Sequence, residues 1–526
     1  MSAPFQRRTA ADWQSLVEAD LGGPDAFADA LVTRTLEGID VEPLYGDRPD
    51  ADEPAARLTG GWDIAAEVAH PDPAVANRRA LQELEGGATA LFVPLDPAGR
   101  GTEGVRACRV AELDALLSGV WIDAAPISFG THAEGVAAAA CLEALAAERG
   151  VAPEGLQVHV GHDPVATLAR DGALPGDLTD AENESAVLAS HSRLRLEASR
   201  ALAVDATVWH AAGADAALEL GLACAGFVHA LRGLEERGLP PSAAHSEFVW
   251  RMNVGRDVFN EIAKLRAARA LHARVLGAAG VAEATPLVLH AFTSDRGATE
   301  RDPWNDMLRS TLGVTASALG GADLVTARPF DAPARGAHEA RESSALGRRF
   351  ARNAQLVLRD ECGLGRVGDP TRGSAYVESR TDALARAAWA VFQEVERSGG
   401  IAQELRNGRL AERLDAARTG LAAAVSSGAR VLVGGTDYLP PEDARHPEPA
   451  PLTGLEALDS SRASALEARG RVALGAVETL EHAVRAAAGG ATFDEIGGAL
   501  VRGAPARVGA LPRVREEDLA ARSVTA

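Results

Sequence analysis

The chain is almost without lysine: Lys264 is the only one among 526 residues. With no Gly-Lys-Ser/Thr anywhere, a Walker-type phosphate loop is excluded, and a Schiff-base enzyme would have only Lys264 to use. That residue sits in "EIAKLRAARALHARV", where Ile262, Leu265, Ala268 and Leu271 recur at helical spacing and Glu261 lies three residues upstream, so it reads as half of a solvated ion pair on a helix. Cysteine is scarce too. Cys108, Cys141, Cys224 and Cys362 show no CxxC spacing and no neighbouring ligands, which argues against a zinc site or a disulfide framework and fits a reducing cytoplasm. Tyrosine occurs three times, as Tyr45, Tyr376 and Tyr438. No run approaches the roughly 18 apolar residues of a membrane span, and "MSAPFQRRTAADWQSLVEADLGG" lacks an apolar signal core, so neither a span nor a leader is expected. Basic residues are outnumbered 53 to 74, and the formal charge of -21 works against binding nucleic acid or an anionic membrane.

What is present is length and alternation. A chain this long holds more than one structural unit. From about residue 85, short apolar runs alternate with longer Ala/Leu/Arg-rich helical patterns: "TALFVPL" from Thr89, "GVWIDAA" from Gly119, "LQVHVGH" from Leu156, "ALAVDATVWH" from Ala201, "EFVWRMNV" from Glu247, "PLVLHAFTS" from Pro286, "ADLVTARPF" from Ala322 and "GSAYVES" from Gly373. Eight strands with helix-length gaps predict an α/β fold, a (β/α)8 TIM-type barrel, with a doubly wound open sheet as the rival arrangement. We divide the chain into an N-terminal extension (1–60), the barrel (61–405) and a helical C-terminal region (406–526). The extension ends in an acidic, proline-bearing loop after Tyr45, and the C-terminal region is broken by "YLPPEDARHPEPAP" from Tyr438. In a barrel the functional groups lie where strands run into their following loops, which singles out His162, His210, Asn253, Ser294 and Arg328.

Several motifs invite chemical readings. "GLGRVG" (363–368) matches GxGxxG, but helical spacing precedes it and Asp369-Pro370 follows, so a helix C-cap at Gly363 and a turn are expected instead of a dinucleotide site. "WHAAG" places His210 at the predicted end of a strand, where its imidazole would point into the barrel mouth as a donor or general acid. It is also a half-match to Asp-x-His-x-x-Gly, the cobalamin pattern, with Val208 where the orienting aspartate is needed. Thr293, Ser294 and Asp295 read equally as ligand contacts or helix caps, Arg309 as a partner for a phosphate or a carboxylate. Bulky Trp209 and Phe292 at strand ends suggest a closed mouth.

Taken together, "TLEGIDVEPLYG", "VFNEIAKLRAARALH", "HAFTSDRGATERDPWNDMLRSTLGVTASALGGADLVTARPFDA", "GDPTRGSAYVES" and "GGATFDEIGGAL" resemble the adenosylcobalamin-dependent acyl-CoA mutases, methylmalonyl-CoA mutase in particular, across most of residues 31–500. The resemblance implies a barrel threaded by acyl-CoA. It also implies departures. In catalytic members the segment after Pro-Leu-Tyr continues through Arg-Gly-x-Tyr-Pro, which helps bind acyl-CoA and acts on the corrin face; here Tyr45 is followed by "GDRPDADEPAARLTGGW". The family's Ser-Gly-Tyr-His strand end becomes "TVWH", and a cobalamin-binding domain after the barrel is expected to be absent. These losses resemble the small (β) subunit of the bacterial heterodimeric enzyme. They imply a chain without catalytic or cofactor-binding residues of its own, with Tyr45, His210, Thr293 and Ser294 as substrate-site remnants, His210 being a vestigial catalytic candidate. Adenosylcobalamin would be held by a large-subunit partner that isomerises (R)-methylmalonyl-CoA and succinyl-CoA. The alternatives are the catalytic barrel of a split acyl-CoA mutase with a separate cobalamin-binding subunit, and a mutase-derived CoA-binding scaffold.

Overall fold

Apolar runs that are hydrophobic at consecutive positions make strands buried on both faces, and such strands close here into one parallel barrel. In chain order they are β1 (Asp63–Glu67), β2 (Ala90–Val93), β3 (Ile127–Phe129), β4 (Val158–His162), β5 (Arg200–Asp205), β6 (Phe248–Val254), β7 (Val288–Thr293) and β8 (Leu324–Thr326). Each pairs in parallel with the next, and β8 returns to β1 through Leu324↔Asp63 and Val325↔Ile64, which shuts the ring. The structure is a computed structural model; it describes residues 9–46, 61–96, 104–196, 198–332, 341–441, 450–451, 455–469, 479–500 and 504–519. The acidic run from Asp47 to Pro54 and residues 442–449 of the proline-rich break lie outside the described residues.

The expected barrel is therefore found, and the open sheet is not, but two of its strands differ from the reading above. "GVWIDAA" is a turn: Gly119 has φ +74° and Trp121 is 77% exposed, so the run cannot sit in a two-sided sheet, and β3 starts just beyond it. "GSAYVES" opens a helix, because Ser374 accepts a hydrogen bond from the Val377 amide as an N-cap. The strands missed in sequence are β1, "DIAAE", with Ile64 as its one β-branched residue, and the three-residue β3, "ISF". "GLGRVG" does follow a helical segment, and Gly363 takes the left-handed conformation expected of a helix end (φ +69°).

The elements outside the ring sort into an arm and a cladding. Helices α1 (Ala10–Leu21) and α2 (Pro24–Leu31) pack on each other, Trp13 meeting Phe27 edge-on at 6.0 Å. The chain then forms a short hairpin, Thr33–Arg34 with Asp40–Val41, and its turn touches the barrel through Glu37, whose Oε1 accepts from the amide of Ala216 (3.3 Å) and from Asn260 Nδ2 (3.3 Å). These contacts lie at the starts of α3 (Ala216–Glu236) and α4 (Val258–Ala278), the helices after β5 and β6. Among the described residues α3 is the one helix long and apolar enough to cross a membrane, and it is packed into the barrel wall. Helix α5 (Pro303–Leu319) follows β7, and α6 (Ala345–Leu356) packs beside it and against β1. Helix α7 (Ala375–Arg397) forms a second layer along α3 and α4, where the Arg274 guanidinium lies 4.1 Å from the Trp389 ring centre.

Candidate functional site at the barrel mouth

The barrel axis is filled before it is open. Ala65, Ala90, Phe92, Phe292 and Leu324 form a small core of their own, Phe92 meets Phe292 edge-on at 4.8 Å, and the fully buried His290 stacks on Phe292 at 4.1 Å. Above this plug, at the carboxyl ends of the strands, lies a cavity of about 520 Å³. Trp209 is not at its wall but inside the main core, and Phe292 forms part of its lining, so the two bulky residues do not close the mouth.

The cavity is polar where the strands end. Arg251 from β6 is buried; its Nη1 donates to Thr131 Oγ1 (2.8 Å), Thr131 in turn donates to Asp205 Oδ2 (2.6 Å), and Nη2 donates to Ser128 Oγ (3.2 Å). Burial pulls the Arg251 guanidinium below its usual range, and Asp205 and Asp163 counter that pull. Gly161, at φ +79°, makes room for it: a Cβ there would stand 2.7 Å from Arg251 Nη2 and 2.7 Å from the Phe129 carbonyl. Neither Arg251 nor Asp205 was singled out in the sequence. Both carry a signal: an arginine inside "FVWRMNV" and an aspartate ending "ALAVD" are charges in runs otherwise apolar, at the end of the barrel where function sits. His132 also lines the cavity, its ring buried and Nδ1 3.9 Å from Glu134 Oε2, and burial lowers its pKa to about 3.

The residues expected at the site are divided by the fold. Thr293, Asn253 and Arg328 line the cavity; the Thr293 hydroxyl accepts from the Arg328 amide at 2.6 Å. His210 does not line it. Strand β5 stops at Asp205, and His210 rides on a helical turn, Thr207–Ala211, whose Val208 and Ala211 face the cavity instead. Its ring is 2% exposed, with Nε2 2.7 Å from Ser294 Oγ and Nδ1 3.3 Å from Glu219 Oε2. Burial, then the charges of Arg296 and Lys264, push its pKa well below the ordinary imidazole value. Ser294 is thus His210's partner, and its Oγ also accepts from the Arg296 amide (3.1 Å). Tyr45 lies apart, its ring 5.1 Å from that of Tyr376. His162 is buried, with Nε2 3.2 Å from the Ala181 carbonyl. Asp295 pairs with Arg328 (3.0 Å) and Arg309 with the carboxylate of Asp306.

Lys264 corrects the sequence reading. Its partner is Glu261 as expected (2.7 Å), but the pair is not solvated: the side chain is 1% exposed, and Nζ also donates to Glu219 Oε2 (2.9 Å) and to the Asn253 carbonyl (2.7 Å). Burial by itself would lower this ammonium's pKa, and the two carboxylates reverse the effect and hold it above the usual value. The cause is that this face of α4 packs inward, on Glu219 of α3 and the Asn253 carbonyl of β6, which spacing within one helix does not report. Lys264 therefore braces Glu219, and through it His210.

A cobalt-ligating histidine must offer a free nitrogen to the metal and be steered by a carboxylate on the other. His210 offers none, since Ser294 and Glu219 occupy both, and it stands behind the cavity wall; these residues do not fit a histidine-ligated cobalamin.

A further feature carried no sequence signal. Residues 504–519 cross the barrel mouth as a strap. The amides of Val508, Leu511, Val514 and Glu516 donate to the carbonyls of Gly172 (2.9 Å), Ala169 (2.8 Å), Ala211 (2.8 Å) and Arg296 (3.0 Å), on the loops and helices after β4, β5 and β7. Leu511, Pro512 and Arg513 line the cavity. Gly172 is in the left-handed region (φ +75°), where an added Cβ would also press on the strap at the Val508 carbonyl, 3.0 Å away. The far end is anchored by Glu516, 1% exposed, with Oε2 2.8 Å from Arg256 Nη2 and Oε1 2.9 Å from Arg430 Nη2.

A family model described as methylmalonyl-CoA mutase matches residues 56–504. The chain is similar to the methylmalonyl-CoA mutase small subunit of Streptomyces virginiae, 38% identical over 440 residues that cover 79% of this chain and 68% of that one. It is also similar to the probable methylmalonyl-CoA mutase small subunit of Mycobacterium tuberculosis (34% over 447 residues, 82% and 70%) and to the methylmalonyl-CoA mutase small subunit of Propionibacterium freudenreichii subsp. shermanii (33% over 451 residues, 79% and 66%). With that likeness running through the closed parallel barrel and beyond it, the chain belongs to the methylmalonyl-CoA mutase family.

Proposed function

We propose that this chain is the small subunit of a heterodimeric, cobalamin-dependent methylmalonyl-CoA mutase, and that it supports the isomerisation of (R)-methylmalonyl-CoA and succinyl-CoA on its large partner without performing it. The family is one of cobalamin-dependent isomerases. The observation that carries the reading is His210: the histidine that resembles the family's strand-end residue is buried behind the cavity wall with both nitrogens engaged. Two further observations support it. Phe92, Phe292 and His290 pack together beneath the cavity, and residues 504–519 lie across the barrel mouth. Adenosylcobalamin then belongs to the large subunit, acyl-CoA is the substrate of the complex, and the setting is cytoplasmic. Arm helices α1 and α2, which pack on each other more than on the barrel, are the segment we assign to partner contact.

The test has two arms. Titrating the isolated chain with adenosylcobalamin should leave the cofactor's visible spectrum unchanged, and His210→Ala in the reconstituted complex should keep turnover within a few-fold of wild type. Stoichiometric binding with a histidine-ligated spectrum, or a 100-fold fall in turnover with assembly intact, about 2.7 kcal/mol of lost transition-state stabilisation, would make this barrel a catalyst.

A further inference from the structure

We infer that the outer face of α5 and α6 is a docking surface for the large subunit, an inference that rests on the small-subunit reading above. Around half of the ring the barrel helices are covered by a second layer. Helix α7 lies over α3 and α4, the helix Leu480–Ala488 lies over Gly135–Glu148, and Leu455–Arg469 meets the Val110–Leu116 helix through Arg462 and Glu112 (3.8 Å). Among the described residues nothing covers α5 and α6 in this way.

The uncovered face is apolar. Trp304, Leu308 and Leu312 recur at i, i+4 and i+8 on α5, Leu346 and Phe350 at i and i+4 on α6, and all five are exposed. A ring chain ties the two helices together: Trp304 stacks on Phe330 at 5.3 Å, and Phe330 meets Phe350 edge-on at 6.0 Å. Beside the start of α5 the Val433 carbonyl accepts from Arg309, and the same loop presents Tyr438 and Leu439. Tyr438 is the only non-glycine residue at positive φ (51°) among the described residues, backbone strain of the kind that persists at binding sites.

Size and charge choose the occupant. The seven side chains are exposed by 39 to 81%. At about 200 Å² for a fully exposed large side chain they present roughly 750 Å², near the approximately 800 Å² each partner contributes to a standard interface and above the usual largest patch on a monomer. Trp, Tyr and Phe are the residue types that anchor such interfaces. A second copy of this chain is the poorer fit, since each copy carries a formal charge of -21 and two would repel.

The experiment uses full-length chain, wild type and the double variant Leu308→Arg/Leu346→Asp, each mixed with the large subunit. Binding is followed by biolayer interferometry, and hydrogen exchange is read on the wild-type complex. The expected result is association of the wild-type pair with new protection in residues 303–319 and 345–356, and at least 100-fold weaker binding by the variant. The variant alone should unfold at the wild-type temperature, because both positions are exposed. Should the variant unfold early, the wild-type protection pattern decides alone. Undiminished binding by the variant, or no new protection in these helices, overturns the docking face and leaves the small-subunit reading standing. Failure of the wild-type pair to associate overturns both. Loss of self-association with the heterodimer intact overturns the proposal in favour of a second copy.

Discussion

Glu516→Gln isolates what holds the strap over the mouth. Burial by itself would raise the Glu516 pKa, but Arg430 and Arg256 outweigh it and hold the carboxyl at about 2, against an ordinary 4.5. That gap corresponds to roughly 3 kcal/mol, and the side chain is buried deeply enough, at 1% exposure, that solvent screening removes little of it. The sign follows from the direction. A carboxyl whose folded pKa is depressed contributes its full stability above the unfolded value and loses it as pH falls toward the folded one, so the anchor is whole at pH 7 and gone near pH 2. The substitution removes the carboxylate at every pH. At pH 7 the amides of Val508, Leu511 and Val514 should exchange with solvent about 100-fold faster in the variant than in wild type, read by hydrogen-exchange mass spectrometry. The difference should narrow steadily as pH drops from 4.5. Equal exchange of residues 504–519 at pH 7 would refute the reasoning, since it would mean the strap is held by its backbone hydrogen bonds without the ion pairs.

Two other outcomes follow from the same structure. Lys264→Met should cost about 3–5 kcal/mol in urea unfolding, because Glu219 and Glu261 are left as buried charges without their cation, and adding Glu219→Gln should recover part of that loss; a change within 0.5 kcal/mol would restore the solvated reading. Deleting residues 1–30 should leave the barrel's thermal transition in place, since α1 and α2 pack chiefly on each other, while association with the large subunit weakens in size-exclusion chromatography; loss of the barrel's transition would place the arm in the barrel core.

The site was partly legible. Thr293, Asn253 and Arg328 reach the cavity as strand-end residues of a barrel should, because parallel strands deliver their carboxyl ends to one face. His210 failed that rule for a local reason. The run "ALAVDATVWH" reads as one continuous strand, yet Ala206 turns into the right-handed helical region and carries the histidine behind the wall. Lys264 was misread for a tertiary reason, since its ammonium is enclosed by Glu219 of α3, 45 residues away in sequence, and by the Asn253 carbonyl of β6.

By itself the sequence determined the barrel, because strands buried on both faces leave consecutive apolar runs and the helices between them keep their own period. It determined the family as well, through motifs that survive as contiguous residues. Tertiary structure alone decided which polar groups share a cavity, that Glu219 joins Lys264 and His210 in one buried network, and that residues 504–519 lie across the mouth they are farthest from along the chain. Each of these depends on contacts between residues that are separated in sequence, and the free energy of a buried charge or a docked strap is set by what the fold places around it.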